Sequence, residues 1–433
     1  MSRLLPTAPY RGTRDFLPAE MSVRQQVFGH LYETVERYGY GRYDGPILES
    51  AEIYEAKSGQ EIANQQLYSL TDRGGRRIAL RPEMTPSVAR MIAANAGSLQ
   101  FPVRWYSHVN CHRYERPQRG RTREHWQLNV DIFGSDSPNC EIEIFDLIHD
   151  VMGSLGATRD MWVLRVGDRA ILNSILRDVV KVPESAHQQT MALIDRWEKV
   201  PAEKLREDAA EFGVDGRMFD LLESTLRSGA EVLPDLPDEV REASPLAQVM
   251  KSEAKDLFVF DPFIVRGLQY YTSTVFEVFD LSPENNRSLF GGGRYGDLAG
   301  LFTNQRIPGI GFGMGDVTLH DFLDTHGLLP EAKNEVDVAV IPVDDELVPA
   351  SREVARKLRQ AGIRTSTTLE PRKLGKELSR ADRSGAGFAL IVGRDEWQRQ
   401  AVVLRDLKGA AQHEIALADV VAHLTERLAP AGA

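Results

Sequence analysis

The 433-residue sequence has only two cysteines, Cys111 and Cys140. Two cysteines cannot form a disulfide framework or a four-cysteine zinc site, which excludes the disulfide-rich secreted proteins and fits a reducing compartment. No apolar run approaches the roughly 18–20 residues of a membrane-spanning helix, and the first residues lack the apolar stretch of a secretory signal. We therefore expect a protein of the cytoplasm without a membrane segment.

Positive charge is in the minority, since 52 Lys and Arg are outnumbered by 63 Asp and Glu and the formal net charge is −11. This balance argues against a protein that coats nucleic acid through a global positive field. Two stretches are nevertheless basic: residues 104–124 hold six arginines and two carboxylates, and residues 352–383 hold ten Lys and Arg and four acids. We therefore expect any contact with nucleic acid to be local.

The hydrophobic pattern changes its period along the chain. Residues 101–114 and 125–133 alternate as strands do, and the apolar residues between 170 and 256 recur at helical spacing. Strand signals return at 274–279. After residue 334, apolar β-rich runs alternate with amphipathic helices, which is typical of a small parallel or mixed sheet. The sequence thus predicts an α+β unit interrupted by a helical insertion, followed by an α/β domain.

An arginine-rich segment, residues 113–127, carries the clearest chemical signal. Alternate strand residues share a face, so we expect Arg113 beside Glu115 and His125 beside Gln127. Fixed cations suit a polyphosphate, and a planar ring with polar neighbours suits a purine, so the segment favours a nucleotide site. A solvated hairpin with surface arginines is the alternative interpretation.

A second segment combines tyrosines, an arginine and glycines. Tyr270 and Tyr271 follow Arg266 and precede an alternating strand, which suits a polar-aromatic pocket. The triple glycine at residues 291–293 permits close backbone approach, but it has neither the spacing of a P-loop nor the context of a dinucleotide-binding turn. An ordinary hairpin turn explains these glycines equally well.

Histidine and cysteine also occur close together, at His108, Cys111 and His112. Strand alternation turns these side chains to opposite faces. We therefore expect no metal site built by a cage of protein side chains.

Five segments together resemble the histidyl-tRNA synthetase family of class II aminoacyl-tRNA synthetases. They are residues 11–15 (RGTRD), 80–85 (LRPEMT), 113–124 (RYERPQRGRTRE), 266–271 (RGLQYY) and 291–295 (GGGRY). Residues 372–386 are similar to the anticodon-binding domain of the same family. The resemblance implies an α+β fold with a class II antiparallel catalytic core at 1–170 and 257–325, a helical insertion domain at 171–256, and an α/β anticodon-binding domain at 334–433.

The resemblance also implies the activity: activation of histidine with ATP and Mg²⁺ to histidyl-adenylate, then transfer to the 3′ end of tRNA-His. Its implied catalytic residues are Arg113 and Arg266, on either side of the α-phosphate. The residues it implies for ATP are Arg113, Glu115, Arg121, Arg123 and His125. Those it implies for histidine are Glu83, Thr85, Gln127, Asp131, Arg266, Tyr270 and Tyr271.

Contacts with other macromolecules follow from the same resemblance. It implies that Arg116 and Gln118 meet the acceptor end of the tRNA, and that Arg372 and Lys373 meet the anticodon. The strand that contains Pro46 resembles the dimer motif of the family, so we expect a homodimer.

Three positions depart from the family pattern. Thr318 stands where class II enzymes usually have an arginine that clamps phosphate, Gln269 replaces an aspartate, and Asp131 replaces a longer glutamate. Losing one charge-assisted phosphate contact should cost about 1.5–3 kcal/mol unless another cation substitutes. We therefore expect a weakened ATP site, not an abolished one.

Two functions without catalysis remain as alternatives. One is a synthetase-like regulatory subunit of ATP phosphoribosyltransferase, which typically lacks the anticodon domain and much of the arginine hairpin. The other is a synthetase-like sensor of uncharged tRNA, for which Thr318 is the motivating feature.

Overall fold

The computed structural model describes residues 4–56, 65–197, 199–265, 271–285, 287–370, 372–409 and 411–429. The chain divides into two compact units: a large unit, Met1–Asp15 with Gln26–Pro330, and a C-terminal unit, Phe16–Gln25 with Glu331–Ala433. Among the residues that the structure describes, no helix is both long and apolar enough to cross a membrane.

A mostly antiparallel sheet forms the centre of the large unit. The strands of this unit are β1 (Gly41–Arg42), β2 (Leu48–Ser50), β3 (Ser69–Thr71), β4 (Arg77–Leu80), β5 (Val103–His112), β6 (Glu124–Phe133), β7 (Trp162–Asp168), β8 (Val259–Phe260), β9 (Tyr271–Asp280), β10 (Ser288–Tyr295) and β11 (Gly309–Gly315). In the described residues the large sheet has the order β1-β5-β6-β11-β10-β9-β7-β8. The outer pairs β1–β5 and β7–β8 are parallel and the other pairs are antiparallel. A smaller antiparallel sheet has the order β2-β4-β3.

Helices cover one face of the large sheet. The helices before the C-terminal sheet are α1 (Pro18–Arg37), α2 (Ala51–Glu55), α3 (Thr85–Asn95), α4 (Asn139–Ser154), α5 (Arg169–Ser174), α6 (His187–Ile194), α7 (Ala202–Glu211), α8 (Gly216–Arg227), α9 (Asp238–Ala243), α10 (Pro245–Val249) and α11 (Asp316–Thr325). Ile144, Ile148 and Val151 recur at helical spacing on α4 and are fully buried against the sheet. The apolar stripe of this helix thus fixes which face of the sheet is core.

The helices α5–α10 form a second apolar cluster of their own. The rings of Trp197 and Phe219 stack in it, with centroids 5.0 Å apart. The segment begins sharply because Asp168 caps α5, its carboxylate accepting hydrogen bonds from the amides of Ala170 and Ile171. The helical segment predicted between 170 and 256 is therefore present as helices.

The C-terminal unit is an α/β layer structure. Its elements are β12 (Val338–Pro342), α12 (Val348–Gln360), β13 (Thr365–Thr367), α13 (Leu374–Arg383), β14 (Phe388–Val392), α14 (Arg394–Gln398), β15 (Ala401–Asp406), β16 (Gln412–Ala416) and α15 (Val420–Leu428). The described strands have the order β13-β12-β14-β15-β16, parallel among β13, β12 and β14. Every residue of β12 and β14 is buried, because apolar clusters cover both sides of these strands. This confirms the mixed α/β domain predicted from the sequence.

Candidate active site

One strand in the middle of the large sheet has no side chains on one of its faces. Gly309, Gly311, Gly313 and Gly315 alternate along β11, and the residues between them, Ile310, Phe312 and Met314, lie in the core beneath the helices. Alternation along a strand therefore leaves the opposite face bare. We call this side of the sheet the glycine face.

Side chains from neighbouring strands lie across these glycines. A methyl group at Gly311 would lie 2.2 Å from Oδ1 of Asp131, and one at Gly313 would lie 2.1 Å from Nε2 of Gln127. The close approach follows from the register, in which Gly311 pairs with Asp131 on β6. The predicted histidine ligands Gln127 and Asp131 are thus brought together on the glycine face.

Asp131 is buried at one end of this face. The hydroxyl of Tyr295 donates a hydrogen bond of 2.7 Å to its Oδ1. Burial raises the pKa of Asp131 to about 7, although the hydrogen bond from Tyr295 works in the opposite direction. Tyr271 is also buried, and a methyl group at Gly293 would lie 2.7 Å from its ring. Of the residues predicted for a polar-aromatic pocket, Tyr271 therefore lies at this end, where it pairs with Tyr295.

Tyr295 was not among the site residues predicted from the sequence. Its ring would lie 2.3 Å from a methyl group at Gly309, the residue with which it pairs on β11. A tyrosine two residues after a triple glycine was the available signal, since it falls on the same strand face as Gly293.

The loop before helix α3 contacts the residue that follows strand β5. The Nε of Arg113 donates a 2.9 Å hydrogen bond to the carbonyl of Pro82. The next residue, Glu83, is buried with 3% exposure, and Thr85 opens helix α3. Arg113 thus joins the predicted contacts for the α-amino group, Glu83 and Thr85, to the strands that carry the other predicted site residues.

His125 supplies a ring on the glycine face, opposite Cys111 in the β5–β6 pair. Loss of solvent and the nearby charge of Arg113 lower the pKa of His125 to about 3. The ring is therefore neutral over the physiological range. A neutral planar ring can stack on a purine, which is the role that the sequence predicts for this position.

The arginine hairpin closes in a tight turn. Gln118 and Arg121 exchange two backbone hydrogen bonds of 3.0 and 2.9 Å around Gly120, whose φ of +74° favours glycine. Arg116 and Gln118, the predicted contacts to the acceptor end, are exposed. The turn therefore presents these two side chains to solvent.

Three other charged residues of the hairpin, Glu115, Arg121 and Arg123, have protein partners. Arg121 forms an ion pair of 3.4 Å with Glu115. Arg123 donates to the hydroxyl of Tyr10 at 2.7 Å and lies 4.2 Å from the centre of the Tyr114 ring. The predicted ATP ligands Glu115, Arg121 and Arg123 are thus near one another, in contacts that ATP would compete with.

Asp316, the first residue of helix α11, connects residues 11–15 to strand β6. This buried carboxylate accepts a 2.9 Å hydrogen bond from Arg14 and another of 2.9 Å from the amide of Trp126. Residues 11–15 and the β11–α11 junction are therefore parts of one network. Asp316 is not among the predicted site residues, because its partners Arg14 and Trp126 are distant in sequence.

Thr318 lies beside the turn of the arginine hairpin. Its hydroxyl donates a 2.5 Å hydrogen bond to the carbonyl of Leu289. A methyl group at Gly120 would lie 3.5 Å from Cγ2 of Thr318 and 3.9 Å from Cδ of Arg287. Arg287 is exposed and has no ion pair with any described residue. A cation therefore lies next to the position from which the arginine is missing.

The arginine of the GGGRY segment has a structural role. Arg294 is 3% exposed and makes a two-point ion pair with the fully buried Glu141, both contacts at 2.6 Å. Its Nη1 also donates to the carbonyl of Ser135 at 2.9 Å. This pair links β10 to helix α4 on the core side of the sheet.

Several predicted residues lie elsewhere. Arg266 and Tyr270 are outside the residues that the structure describes. Arg372 and Lys373 are exposed immediately before helix α13 of the C-terminal unit. In the described part of the chain, no three His, Cys, Asp or Glu side chains are grouped so as to hold a metal ion.

Comparison with known proteins identifies the two units. Residues 12–317 match the model of the histidyl-tRNA synthetase family, and residues 337–427 match that of the anticodon binding domain. The chain is 38% identical to a histidine–tRNA ligase of Leptospira biflexa over 434 aligned residues that cover 98% of each protein. It is 36% identical to that of Haloarcula marismortui, covering 94% of this chain and 95% of the relative.

Solved structures agree in fold. A histidyl-tRNA synthetase from Nostoc sp. PCC 7120 matches 98% of this chain and 100% of its own with a TM-score of 0.81 at 26% identity. A protein from Bacillus halodurans C described as an ATP phosphoribosyltransferase regulatory subunit/histidyl-tRNA synthetase shares the fold, with a TM-score of 0.73 at 22% identity. The chain belongs to the histidyl-tRNA synthetase family and is a histidine–tRNA ligase, an enzyme that uses ATP to join histidine to tRNA.

Proposed function

We propose that the glycine face is where this enzyme activates histidine and transfers it to tRNA-His. The observation that carries the proposal is the gathering of Arg113, His125, Gln127 and Asp131 around strand positions that have no side chains. A bare sheet face bordered by a cation, a neutral ring, an amide and a carboxylate has room and partners for an aminoacyl-adenylate.

In the first step, a carboxylate oxygen of histidine attacks the α-phosphorus of ATP, a P–O bond forms, and the bond to pyrophosphate breaks. Two anions approach each other, so fixed positive charge is worth most near the transition state. We assign this role to Arg113, which is oriented by the carbonyl of Pro82. We assign Arg266 to the opposite side of the α-phosphate. This assignment comes from the match of residues 266–271 to the family segment.

ATP recognition involves the ring of His125 and the hairpin residues Glu115, Arg121 and Arg123. His125 stacks on adenine, Glu115 accepts from the adenine edge, and the two arginines meet the β- and γ-phosphates. Bound together with ATP, Mg²⁺ would offset the phosphate charge, since Mg²⁺ usually keeps water and phosphate ligands in place of an all-protein cage.

Histidine recognition uses both ends of the glycine face. Glu83, Thr85 and Gln127 bind the α-amino group, and Asp131 binds the imidazole together with Tyr270 and Tyr271. We add Tyr295, because it donates directly to Asp131. Arg287 is our candidate for the cation that substitutes for the arginine missing at Thr318.

Contacts with tRNA are assigned to exposed residues on each unit. Arg116 and Gln118 on the hairpin turn meet the acceptor end, and Arg372 and Lys373 before α13 meet the anticodon. All four side chains are exposed, and the positive charge of Arg116, Arg372 and Lys373 suits contact with phosphates. The segmentation into a core at 1–170 and 257–325, an insertion at 171–256 and an anticodon domain at 334–433 remains part of this proposal.

We also propose a homodimer located in the cytoplasm. Strand β2 lies at an edge of the smaller sheet, and Ile47, Leu48 and Leu70 on this sheet are each about half exposed, at 48%, 48% and 49%. An unpaired edge with exposed apolar side chains is suited to pairing with a second copy. Sedimentation analysis of the wild type and of Leu48→Glu tests the dimer, which the charged variant should weaken.

The test of the activity is amino-acid-dependent ATP–pyrophosphate exchange across the twenty amino acids. Exchange with histidine alone is expected, and Arg113→Gln should reduce it by at least about a hundredfold, because a cation at the transition state is lost. Arg116→Gln, an exposed arginine three residues away, is the matched control and should retain exchange.

The same assay separates the alternatives. Tight binding of tRNA without exchange for any amino acid would support a sensor of uncharged tRNA. If the wild type and Arg113→Gln show the same histidine-dependent exchange, the ligase activity is supported and the role of Arg113 is refuted.

A further inference from the structure

Three buried polar atoms near Asp131 have no hydrogen-bond partner among the described residues: the hydroxyl of Tyr43, Oγ of Ser107 and Oδ2 of Asp131. Ser107 is fully buried and Asp131 is 3% exposed. A desolvated polar atom without a partner costs free energy, so proteins rarely keep several together without a use for them. This cluster is therefore a candidate for a role in binding.

The sheet brings Tyr43 to this position. Strand β1 pairs in parallel with β5, Gly41 opposite Trp105, and the amide of Tyr43 continues the ladder with a 2.9 Å hydrogen bond to the carbonyl of Tyr106. Continuing this register places Tyr43 beside Ser107, on the side of the sheet that Trp105 shares with Asp131. The Tyr43 ring packs on Trp105 with centroids 5.6 Å apart.

The two oxygens of Asp131 differ in their surroundings. Oδ1 accepts the hydroxyl of Tyr295, whereas Oδ2 has no donor among the described residues. The Tyr43 hydroxyl is close enough for the negative charge of Asp131 to raise the Tyr43 pKa, although burial is the larger cause. Ser107 lies within reach of the same hydroxyl, but the pair does not meet hydrogen-bond geometry. The Tyr43 hydroxyl and Oδ2 of Asp131 are thus a donor and an acceptor on the same side of the sheet, each without a partner among the described residues.

We propose that Tyr43 is a positioning residue for Asp131: when histidine binds, the Tyr43 hydroxyl, supported by Ser107, donates to Oδ2 and holds the carboxylate ionised and turned toward the imidazole N–H. The inference rests on the proposed role of Asp131 in histidine recognition and deepens it. A shorter carboxylate needs donors on both oxygens to stay fixed, and Tyr295 supplies one of them.

Other charged and titratable groups face this cluster. The charge of Asp131 raises the pKa of Tyr40, and the hydrogen bond from Tyr295 lowers the pKa of Asp131. Arg81 lowers the pKa of Tyr43, and Cys111 raises it. The pKa of Tyr43 is far above its ordinary value, so its hydroxyl keeps its proton and remains a donor through the working pH range.

The test is Tyr43→Phe in histidine-dependent ATP–pyrophosphate exchange. The phenylalanine ring retains the packing on Trp105 and removes only the hydroxyl. At pH 7 we expect the KM for histidine to rise about tenfold, the size of effect when a hydrogen bond to a charged group is lost, with the KM for ATP unchanged. Because Asp131 then ionises at higher pH, the rise should shrink between pH 7 and pH 8.5. Ser107→Ala should show a smaller change in the same direction, and it tests the inference if Tyr43→Phe does not fold.

Tyr106→Phe is the matched control. Tyr106 is the neighbour of Ser107, lies on the core face, and donates to Glu36 at 2.5 Å, so its loss should not change the KM for histidine. A wild-type KM for histidine and a wild-type pH profile in Tyr43→Phe would overturn the inference. So would an equal rise of the KM for histidine in Tyr43→Phe and Tyr106→Phe, or an equal rise of the KM values for histidine and ATP in Tyr43→Phe. Absence of histidine exchange in the wild type would instead refute the proposed function itself.

Discussion

Replacing Asp131 with asparagine tests whether burial controls the ionisation of the candidate histidine pocket. The pKa of Asp131 rises from an ordinary value of 3.8 to about 7 in the folded protein. Three pKa units correspond to about 4 kcal/mol, at about 1.4 kcal/mol per unit. The free energy of unfolding should therefore contain an unfavourable contribution of this order at neutral and alkaline pH.

The sign follows from proton binding. Between about pH 4 and pH 7 the folded state holds the Asp131 proton and the unfolded state has lost it, so the stability of the wild type falls as the pH rises. Above pH 7 both states are ionised and the penalty is constant. The asparagine side chain of the variant does not titrate, and its own burial cost is independent of pH. The stability of Asp131→Asn relative to the wild type should thus rise by about 2–3 kcal/mol between pH 5 and pH 7.5 and then level off.

Denaturant unfolding followed by tryptophan fluorescence measures this difference. Because the chain has two compact units, both proteins should carry Trp397→Phe, which leaves the tryptophans of the large unit as reporters. Other carboxylates titrate equally in both proteins and cancel. A stability difference that stays constant from pH 5 to pH 8.5 would refute the raised pKa. The variant should also lose histidine-dependent exchange, since a neutral amide is a poor substitute for the carboxylate.

Three further substitutions test the architecture of the site. Gly311→Ala should destabilise the large unit by about 1–3 kcal/mol in thermal unfolding, because the new methyl would lie 2.4 Å from the carbonyl oxygen of Val130; an unchanged midpoint would contradict this. Arg294→Met leaves the carboxylate of Glu141 buried without its cation and should cost about 3–5 kcal/mol in denaturant unfolding, whereas a loss below about 1 kcal/mol, a typical surface effect, would argue against the buried pair. His125→Phe should leave the KM for ATP nearly unchanged and His125→Ala should raise it about tenfold, since stacking is retained in the first and lost in the second.

Strand and helix patterns predicted the elements that carry the site. The alternating residues of β5 and β6, the arginine turn between them and the helical insertion all follow from local periodicity and glycine placement. Alternation predicted that Arg113 shares a face with Glu115 and that His125 shares one with Gln127. Asp131 was predicted only from the resemblance to the family.

The residues that sequence analysis missed depend on contacts across long stretches of chain. Tyr295 reaches Asp131 across 164 positions, and Asp316 reaches Arg14 across 302. Tyr43 comes to the same pocket through a parallel pair of strands. No local pattern marks such residues, because their partners are chosen by strand order in the sheet.

The sequence by itself determined the family, the two-part organisation and the amino acids available for chemistry, because motifs and hydrophobic periods are written in neighbouring residues. Only the tertiary structure decided the ionisation of those amino acids. Burial raises the pKa of Asp131 and lowers that of His125, although both side chains lie on the same strand. The physical reason is that removing water disfavours the charged form of either group, and the extent of that removal is a property of packing in three dimensions.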